Sequence, residues 1–136
     1  MENKLSTTAK GDLGVLYTSA DLISKGYTVL SPLGGQPHYD LVIEKNNIFR
    51  KVQVKYAHIK NGVIQVKLYT VGHNGKVNLH TKDNVDIVAV YVPETDIVYY
   101  INQDQVDCET QVSLRVNPAK NNMKEHIRLA KDYMRV

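Results

Sequence analysis

Residues 39–55, YDLVIEKNNIFRKVQVK, contain the pattern that decides the fold. Two apolar runs flank Asn46-Asn47, a pair that favours a tight turn, so the sequence predicts a β-hairpin. Because side chains alternate along a strand, Gln53 and Lys55 share one face of the second strand, and Asp40 at the start of the first lies roughly opposite them. The hairpin therefore predicts a carboxylate, an amide and an ammonium group converging at one end of a sheet.

These groups suit the hydrolysis of a phosphodiester. A divalent cation can bind the phosphate and lower the pKa of a bound water. Mg²⁺ prefers oxygen ligands and often takes one or two protein carboxylates, with waters and substrate oxygens as its other ligands. Asp40 and Gln53 offer side-chain oxygens and Val54 a backbone carbonyl, while the positive charge of Lys55 can offset developing negative charge. The alternative is a solvated hairpin with ordinary polar groups, and the spacing alone leaves both interpretations open.

A wider set of segments resembles the PD-(D/E)xK nucleases, above all their intron-encoded homing endonucleases. The resemblance rests on the motif segments Tyr39-Asp40 and Gln53-Val54-Lys55. It extends to further segments along the chain: Lys10-Gly11-Asp12-Leu13-Gly14, Gly26-Tyr27, Tyr91-x-Pro93-Glu94, Val98-Tyr99-Tyr100-Ile101, Ser113-Leu114-Arg115 and Asn121-Asn122. Glutamine in the acidic place of the x-Lys motif is a feature of that family. Archaeal-type Holliday junction resolvases share the Lys-Gly helix start and are related.

The resemblance implies a Mg²⁺-dependent DNA endonuclease with Asp40, Gln53 and Lys55 as catalytic residues and Asp40, Gln53 and Val54 as metal ligands. It implies an α/β (or α+β) fold with a restriction-endonuclease-like core, in which a mixed sheet of four to five strands is flanked by helices. It also implies a homo-oligomer, a dimer or a tetramer, acting on double-stranded or branched DNA. A Holliday junction resolvase, which reads branched shape, and a structural protein without nucleic acid are the alternatives.

Position 15 departs from the pattern of both families. They carry a glutamate on the first helix, four residues after the glycine of Lys-Gly, where this chain has Val15. In those families the glutamate helps to hold or orient the metal and its water. Val15 stands at this catalytic position but has no carboxylate. Asp12, three residues earlier on roughly the same helix face, is a candidate substitute; the alternative is a first-turn acid that favours the helix dipole. A catalytically impaired DNA-binding relative is therefore a further alternative.

Charges are segregated along the chain. Residues 45–82 contain eight bases and no acid, residues 83–109 contain seven acids and no base, and residues 115–136 contain six bases and two acids. Such segregation favours binding to an anionic partner. The alternative is that folding intermixes these charges and leaves no basic surface. The predicted DNA-contacting residues are basic or polar: Lys60, Lys67, Lys76, Arg115, Lys120, Asn121 and Asn122.

Apolar periodicity predicts the remaining elements. A first helix over residues 9–25, with Thr7 or Thr8 as N-cap, ends at Gly26. Its apolar face is formed by residues at spacings of three and four: Leu13, Leu16, Ala20 and Ile23. Strands are predicted at 27–31, 63–69, 85–92, 97–101 and 112–116, with a hairpin tip at 73–76 whose two-stranded ribbon suits the major groove. A final helix is predicted over 119–134, with the apolar stripe Met123, Ile127, Ala130 and Met134.

Length and composition predict one globular domain over residues 1–136. The chain is 43% hydrophobic and 23% charged, which is ordinary for such a domain. No apolar run approaches the roughly 18 residues of a membrane span, and residues 1–10 lack the apolar core of a signal peptide. The single cysteine, Cys108, excludes an intrachain disulfide and a cysteine-rich zinc site. The sequence therefore predicts a cytoplasmic protein without a membrane partner.

Overall fold

A computed structural model describes residues 4–34, 38–72, 74–107, 109–117 and 127–136. One α-helix and eleven strands lie in these ranges: α1 (Thr7–Ser24), β1 (Thr28–Leu30), β2 (Leu41–Lys45), β3 (Ile48–Tyr56), β4 (Ile59–Lys60), β5 (Val63–Lys67), β6 (Tyr69–Val71), β7 (Val77–Leu79), β8 (Ile87–Val92), β9 (Ile97–Asn102), β10 (Gln111–Arg115) and β11 (Arg128–Leu129). Two short 3₁₀ helices cover Gln103–Gln105 and Ala130–Tyr133. Within the same ranges, no helix has the length and hydropathy that a membrane crossing requires.

The central sheet has five strands in the order β1-β2-β3-β8-β9. All neighbours are antiparallel except β3 and β8, which are parallel, so the sheet is mixed as predicted. Strands β2 and β3 form the predicted hairpin, with Leu41 opposite Val52. Asn46 and Asn47 in its turn both have positive φ, 54° and 64°, because a two-residue turn of this kind matches the twist of the flanking strands. The α+β fold class is thereby confirmed.

A second sheet, which the sequence did not predict, has the order β11-β10-β5-β4, and β6 and β7 form a separate pair. The predicted strand over residues 63–69 is interrupted at Leu68, which is fully buried. Its N–H donates to the carbonyl of Thr110 at 2.9 Å, and its carbonyl accepts from the N–H of His80 at 2.8 Å. These two bonds separate β5 from β6 and direct the chain from one strand pair into the other.

Two apolar clusters lie on opposite faces of the central sheet. The first joins the sheet to α1 and contains Leu22, Leu41, Ile43 and Val52. The second joins it to the second sheet and is formed by residues from both: Ile64, Val66, Val88, Val90, Ile101 and Leu114. Strand β8 is buried along its whole length, since both faces are covered, which explains its unbroken apolar sequence. Helix α1 and the second sheet therefore form the outer layers.

Helix α1 begins at Thr7, two residues before the predicted start at residue 9. Ser6 is the N-cap, and its hydroxyl accepts the N–H of Ala9 at 3.1 Å. Thr7 and Thr8 are exposed residues of the first turn. The helix ends where predicted, since Gly26 has φ 91°, the left-handed conformation that glycine adopts freely.

The apolar face predicted for α1 exists, but it points away from the core. Leu16 is 65% exposed and Ile23 61% exposed. The buried residues of the helix are Gly14, Thr18 and Leu22. A Cβ added at Gly14 would lie 3.3 Å from a Val54 methyl group, so the backbone of α1 comes close to β3 at this glycine.

The final helix predicted over residues 119–134 is wrong for the part of it that the structure describes. Residues 128–129 form β11, which pairs with β10 in parallel, and a 3₁₀ helix follows. Pairing with the edge of the second sheet satisfies backbone groups that a helix would otherwise satisfy internally. Ala130 is buried, whereas Met134 is 39% exposed. Met123 lies outside the described residues.

Candidate active site

The β2–β3 hairpin places Asp40 beside the middle of β3. Its backbone N–H donates to the carbonyl of Val52 at 2.9 Å, and its Oδ2 accepts the N–H of Val54 at 2.8 Å. Continuing the register that pairs Leu41 with Val52 puts Asp40 opposite Gln53. Opposite residues of an antiparallel pair share a face, so the hairpin brings Asp40 and Gln53 together as its pattern indicates.

Lys55 lies on the same face of β3, two residues beyond Gln53. Its Nζ donates to the carbonyl of Tyr69 at 3.1 Å, which ties β3 to the start of β6. Burial lowers the pKa of Lys55, an effect that Asp40 opposes and Lys67 reinforces. Burial likewise raises the pKa of Asp40, against the Val54 hydrogen bond and the charge of Lys55. Partial desolvation of two interacting opposite charges is typical of functional sites.

The oxygen donors around Asp40 fit a hard cation with few protein ligands. Within the described ranges, no three His, Cys, Asp or Glu side chains cluster together, as the ligands of a closed zinc centre would. Asp40 engages Val54 through Oδ2, which leaves Oδ1 to meet a cation, and the Gln53 amide and Val54 carbonyl are the further predicted ligands. Mg²⁺ accepts such a set because it retains several waters. The metal-binding roles of these residues stay predictions.

Val15 lies on the other side of the central sheet. Its half-buried side chain packs, like that of Val54, against the apolar cluster beneath α1, whereas Gln53 and Lys55 alternate with Val54 onto the opposite face. An apolar side chain is stable in that cluster and supplies no ligand. Asp12 is exposed, and the structure gives no contact that joins it to Asp40. The catalytic role of position 15 stays a prediction.

A groove of about 630 Å³ opens beside Lys55, where the end of β3 meets β4, β5 and β6. Lys60 and Lys67 line it with Lys55, and the residues that line it include no acid. The Nζ of Lys67 lies 6.0 Å from the ring centroid of Tyr69 on the same wall. Folding thus gathers three of the bases from residues 45–82 in one concavity, which suits an anionic backbone.

Comparison with known proteins identifies the family. Residues 5–136 match the PD-(D/E)XK endonuclease family. The chain belongs to the PD-(D/E)XK endonucleases. The solved structure of I-Ssp6803I, a bacterial homing endonuclease, superimposes with a TM-score of 0.72 at 24% sequence identity, covering 95% of this chain and 88% of that one. No curated protein matches the chain. The resemblance read from the sequence is thereby confirmed at the level of family and fold.

Two further predicted DNA-contacting residues that the structure describes, Lys76 and Arg115, do not line the groove of this PD-(D/E)XK endonuclease. Lys76 is exposed in the β6–β7 turn, where Gly75 has φ 75°. Arg115 ends β10, and its buried Nε has no hydrogen-bond partner among the described residues. Lys120, Asn121 and Asn122 lie outside the described residues. Their contacts with DNA stay predictions.

Two buried polar side chains of this endonuclease, His80 and Gln103, were not found from the sequence. His80 is 3% exposed and Gln103 fully buried, and the Gln103 amide donates to the His80 carbonyl at 2.9 Å. Burial, together with the charges of Lys55 and His38, lowers the pKa of His80 to about 4, so the imidazole is neutral at pH 7. No local sequence signal marks either residue, because their contacts join segments far apart in the chain.

Proposed function

We propose that this chain is a homing-endonuclease-like, Mg²⁺-dependent DNA endonuclease that acts in the cytoplasm as a homo-oligomer, a dimer or a tetramer. The observation that carries the proposal is the Asp40 carboxylate, held by the Val54 N–H and facing the same side as Gln53 and Lys55. Membership of an endonuclease family supports the reaction class, and the basic groove beside Lys55 supports an anionic substrate.

Each residue has a distinct role in the proposed hydrolysis. Mg²⁺, when bound, would polarise the phosphate and lower the pKa of a water. Asp40, Gln53 and the Val54 carbonyl would hold the ion, and the Asp40–Val54 hydrogen bond fixes the carboxylate before substrate arrives. Lys55 would stabilise the negative charge that grows on the phosphate as water attacks in line and the P–O bond breaks. Lys60 and Lys67 would contact the DNA backbone, which positions the duplex without reading its sequence.

Two active sites are needed to cut both strands of a duplex. Closed two-fold symmetry is the common way for a small chain to supply them, which supports the homo-oligomer. The target sequence and the choice between linear and branched DNA depend on contacts beyond the catalytic hairpin.

The decisive experiment replaces Asp40 by alanine. Asp40→Ala should abolish Mg²⁺-dependent cleavage, because the proposed ligand set of Asp40, Gln53 and the Val54 carbonyl loses its carboxylate, while DNA binding persists through the groove lysines. Asp104→Ala, which removes an exposed acid from the 3₁₀ helix after β9, is the matched control and should cleave normally. Undiminished Mg²⁺-dependent turnover by purified Asp40→Ala would disprove the site assignment.

A catalytically impaired DNA-binding relative is the second candidate, and Val15 is the observation that favours it. The side chain of Val15 packs against the apolar cluster beneath α1 and supplies no carboxylate, which supports this candidate. Cleavage assays on linear and four-way DNA, with and without Mg²⁺, separate the candidates. Binding without cleavage of either substrate supports the impaired relative, and preferential cleavage of four-way DNA supports a junction resolvase.

A further inference from the structure

The outer side of α1 carries an apolar surface that we call the α1 stripe, formed by Leu16, Ala20 and Ile23. Spacings of four and three place these residues on one side of the helix. Leu16 is 65% exposed, Ile23 61% exposed, and Ala20 lies exposed between them. The opposite side of the helix packs on the central sheet through Gly14 and Leu22. An apolar side of α1 is therefore turned away from the protein core.

Charge is nearly absent from the outer side of α1. The helix, which is described in full, has three charged residues: Lys10, Asp12 and Asp21. Asp21 is engaged at the inner side, where its carboxylate accepts from the Tyr100 hydroxyl and pairs with Lys25. Lys10 is half-buried, which leaves Asp12 as the exposed charge. Depletion of charge around exposed large apolar residues is typical of the core of a protein interface.

We infer that a second copy of this chain covers the α1 stripe, with the two helices packed antiparallel about a two-fold axis near Ala20. A two-fold contact uses the same surface on both subunits, so that surface has to be self-complementary. The stripe has this property, because its small residue lies between two large ones. In the antiparallel arrangement Leu16 lies near Ile23 of the partner subunit, and the two Ala20 positions allow the backbones to approach.

The charges at the two ends of the stripe favour this arrangement. Asp12 lies at the N-terminal end and is exposed. At the C-terminal end the exposed Lys45 has its Nζ 4.7 Å from the Tyr27 ring centroid and 3.3 Å from the carbonyl of Lys25. Antiparallel packing brings Asp12 towards the partner's Lys45, and the reverse, whereas parallel packing would set the two Asp12 carboxylates side by side. Opposite charges at the rim fix the register of such a contact.

This contact leaves the basic groove open. Helix α1 and the second sheet cover opposite faces of the central sheet, so a partner on α1 does not cover the residues beside Lys55. The inference rests on the oligomeric part of the proposed function and is independent of its chemistry.

The test measures the mass of the full chain in solution by sedimentation or light scattering. The wild type should be a dimer or a multiple of it, and Ile23→Lys and Leu16→Lys should each halve the mass while circular dichroism shows a folded protein. Ile48→Lys is the matched control, because Ile48 is 64% exposed in the β2–β3 turn region, outside the stripe, and should keep the wild-type mass. A monomeric wild type, an undiminished mass in both stripe variants, or an equal loss in Ile48→Lys would overturn the inference.

A second variant tests the two-fold axis without disturbing the apolar contact. In a chain with Cys108→Ser, Ala20→Cys should form a covalent dimer on mild oxidation, because the axis brings the two positions together. Asp104→Cys, an exposed residue away from α1, should remain unlinked. Absence of the Ala20→Cys dimer would overturn the antiparallel arrangement. A monomeric wild type that still cleaves DNA would refute the dimer contact and leave the nuclease proposal standing. A wild-type dimer that fails to cleave DNA would refute the nuclease proposal and leave the dimer contact standing.

Discussion

Two glycines of α1 differ in what lies next to them, and this difference can be measured. A Cβ added at Gly14 would lie 3.3 Å from Cγ1 of Val54 and 3.9 Å from the carbonyl oxygen of Lys55. A Cβ added at Gly11 would meet no described atom within 4 Å. Both positions lie inside the helix, so the same substitution has the same effect on helix propensity at each. Replacing each glycine by valine therefore isolates the contact between α1 and β3.

The magnitudes follow from helix propensity and packing. Valine is better than glycine in a helix by about 0.3 kcal/mol, the difference between roughly 1 for glycine and up to roughly 0.7 for ordinary residues. Gly11→Val should therefore be neutral or slightly stabilising. Gly14→Val gains the same amount but forces side-chain atoms into β3, and overpacking of this kind costs about 1–3 kcal/mol. We expect Gly14→Val to be less stable than Gly11→Val by about 1–3 kcal/mol.

Urea unfolding at equilibrium checks this difference, provided that the m-value of both variants equals that of the wild type. Because β3 carries Gln53, Val54 and Lys55, a displaced β3 should also slow Mg²⁺-dependent cleavage by Gly14→Val. A displacement of about 1 Å can lower the reaction rate by about 100-fold. Gly11→Val should cleave at the wild-type rate. Equal unfolding midpoints for the two variants would refute the close packing of α1 on the strand that carries the candidate site.

Three further predictions concern the site and its surroundings. If position 15 completes the metal site, as the resemblance implies, Val15→Glu should raise Mg²⁺-dependent single-turnover cleavage by up to about 100-fold through better placement of the attacking water. The variant should also be less stable, because position 15 is half-buried in an apolar cluster. A folded variant with no gain at any Mg²⁺ concentration would contradict the implied role and agree with the packing of Val15 on the face opposite Gln53 and Lys55. If Lys60 and Lys67 each neutralise one phosphate, Lys60→Ala and Lys67→Ala should each reduce the slope of log binding constant against log salt concentration by about 0.9, measured by fluorescence anisotropy. Unchanged slopes would contradict the proposal that the groove binds the DNA backbone. The pKa of His80 falls from 6.5 to about 4 in the folded protein, so between these values the unfolded chain binds the proton more strongly, and the free energy of unfolding should fall as the pH drops from about 6.5 to about 4. His80→Gln should flatten this part of the plot of unfolding free energy, measured in urea, against pH. An unchanged plot would show that His80 does not titrate in this way.

The sequence by itself determined the β2–β3 hairpin. Asn46-Asn47 between two apolar runs is a local signal, and both asparagines adopt the positive φ that such a turn requires. The register then follows, because the turn length fixes which residues of β2 and β3 are opposite, and Asp40 comes to lie beside Gln53. The ordered motif segments likewise identified the family, since they preserve residue types at fixed positions along the chain.

Only the tertiary structure decided which face of α1 is buried and where the C-terminal residues pair. Periodicity shows that Leu16, Ala20 and Ile23 share a face, but it does not show whether the core or another surface covers that face. The close approach of α1 to Val54 selected the side of Gly14 instead. Residues 128–129 became a strand because the edge of β10 was available to them, and no local pattern contains that information.

The groove beside Lys55 also depended on long-range pairing. Lys55, Lys60 and Lys67 lie in three strands. The hydrogen bond from Lys55 to the carbonyl of Tyr69 exists because the chain leaves the second sheet after β5 and enters β6. Segregation of charge along the sequence indicated an anionic partner, but the shape that gathers those charges comes from contacts between residues distant in the chain. Local turn and periodicity signals act over a few residues and are therefore readable from sequence, whereas the pairing of distant strands depends on which edges and apolar faces remain uncovered once the whole chain has packed.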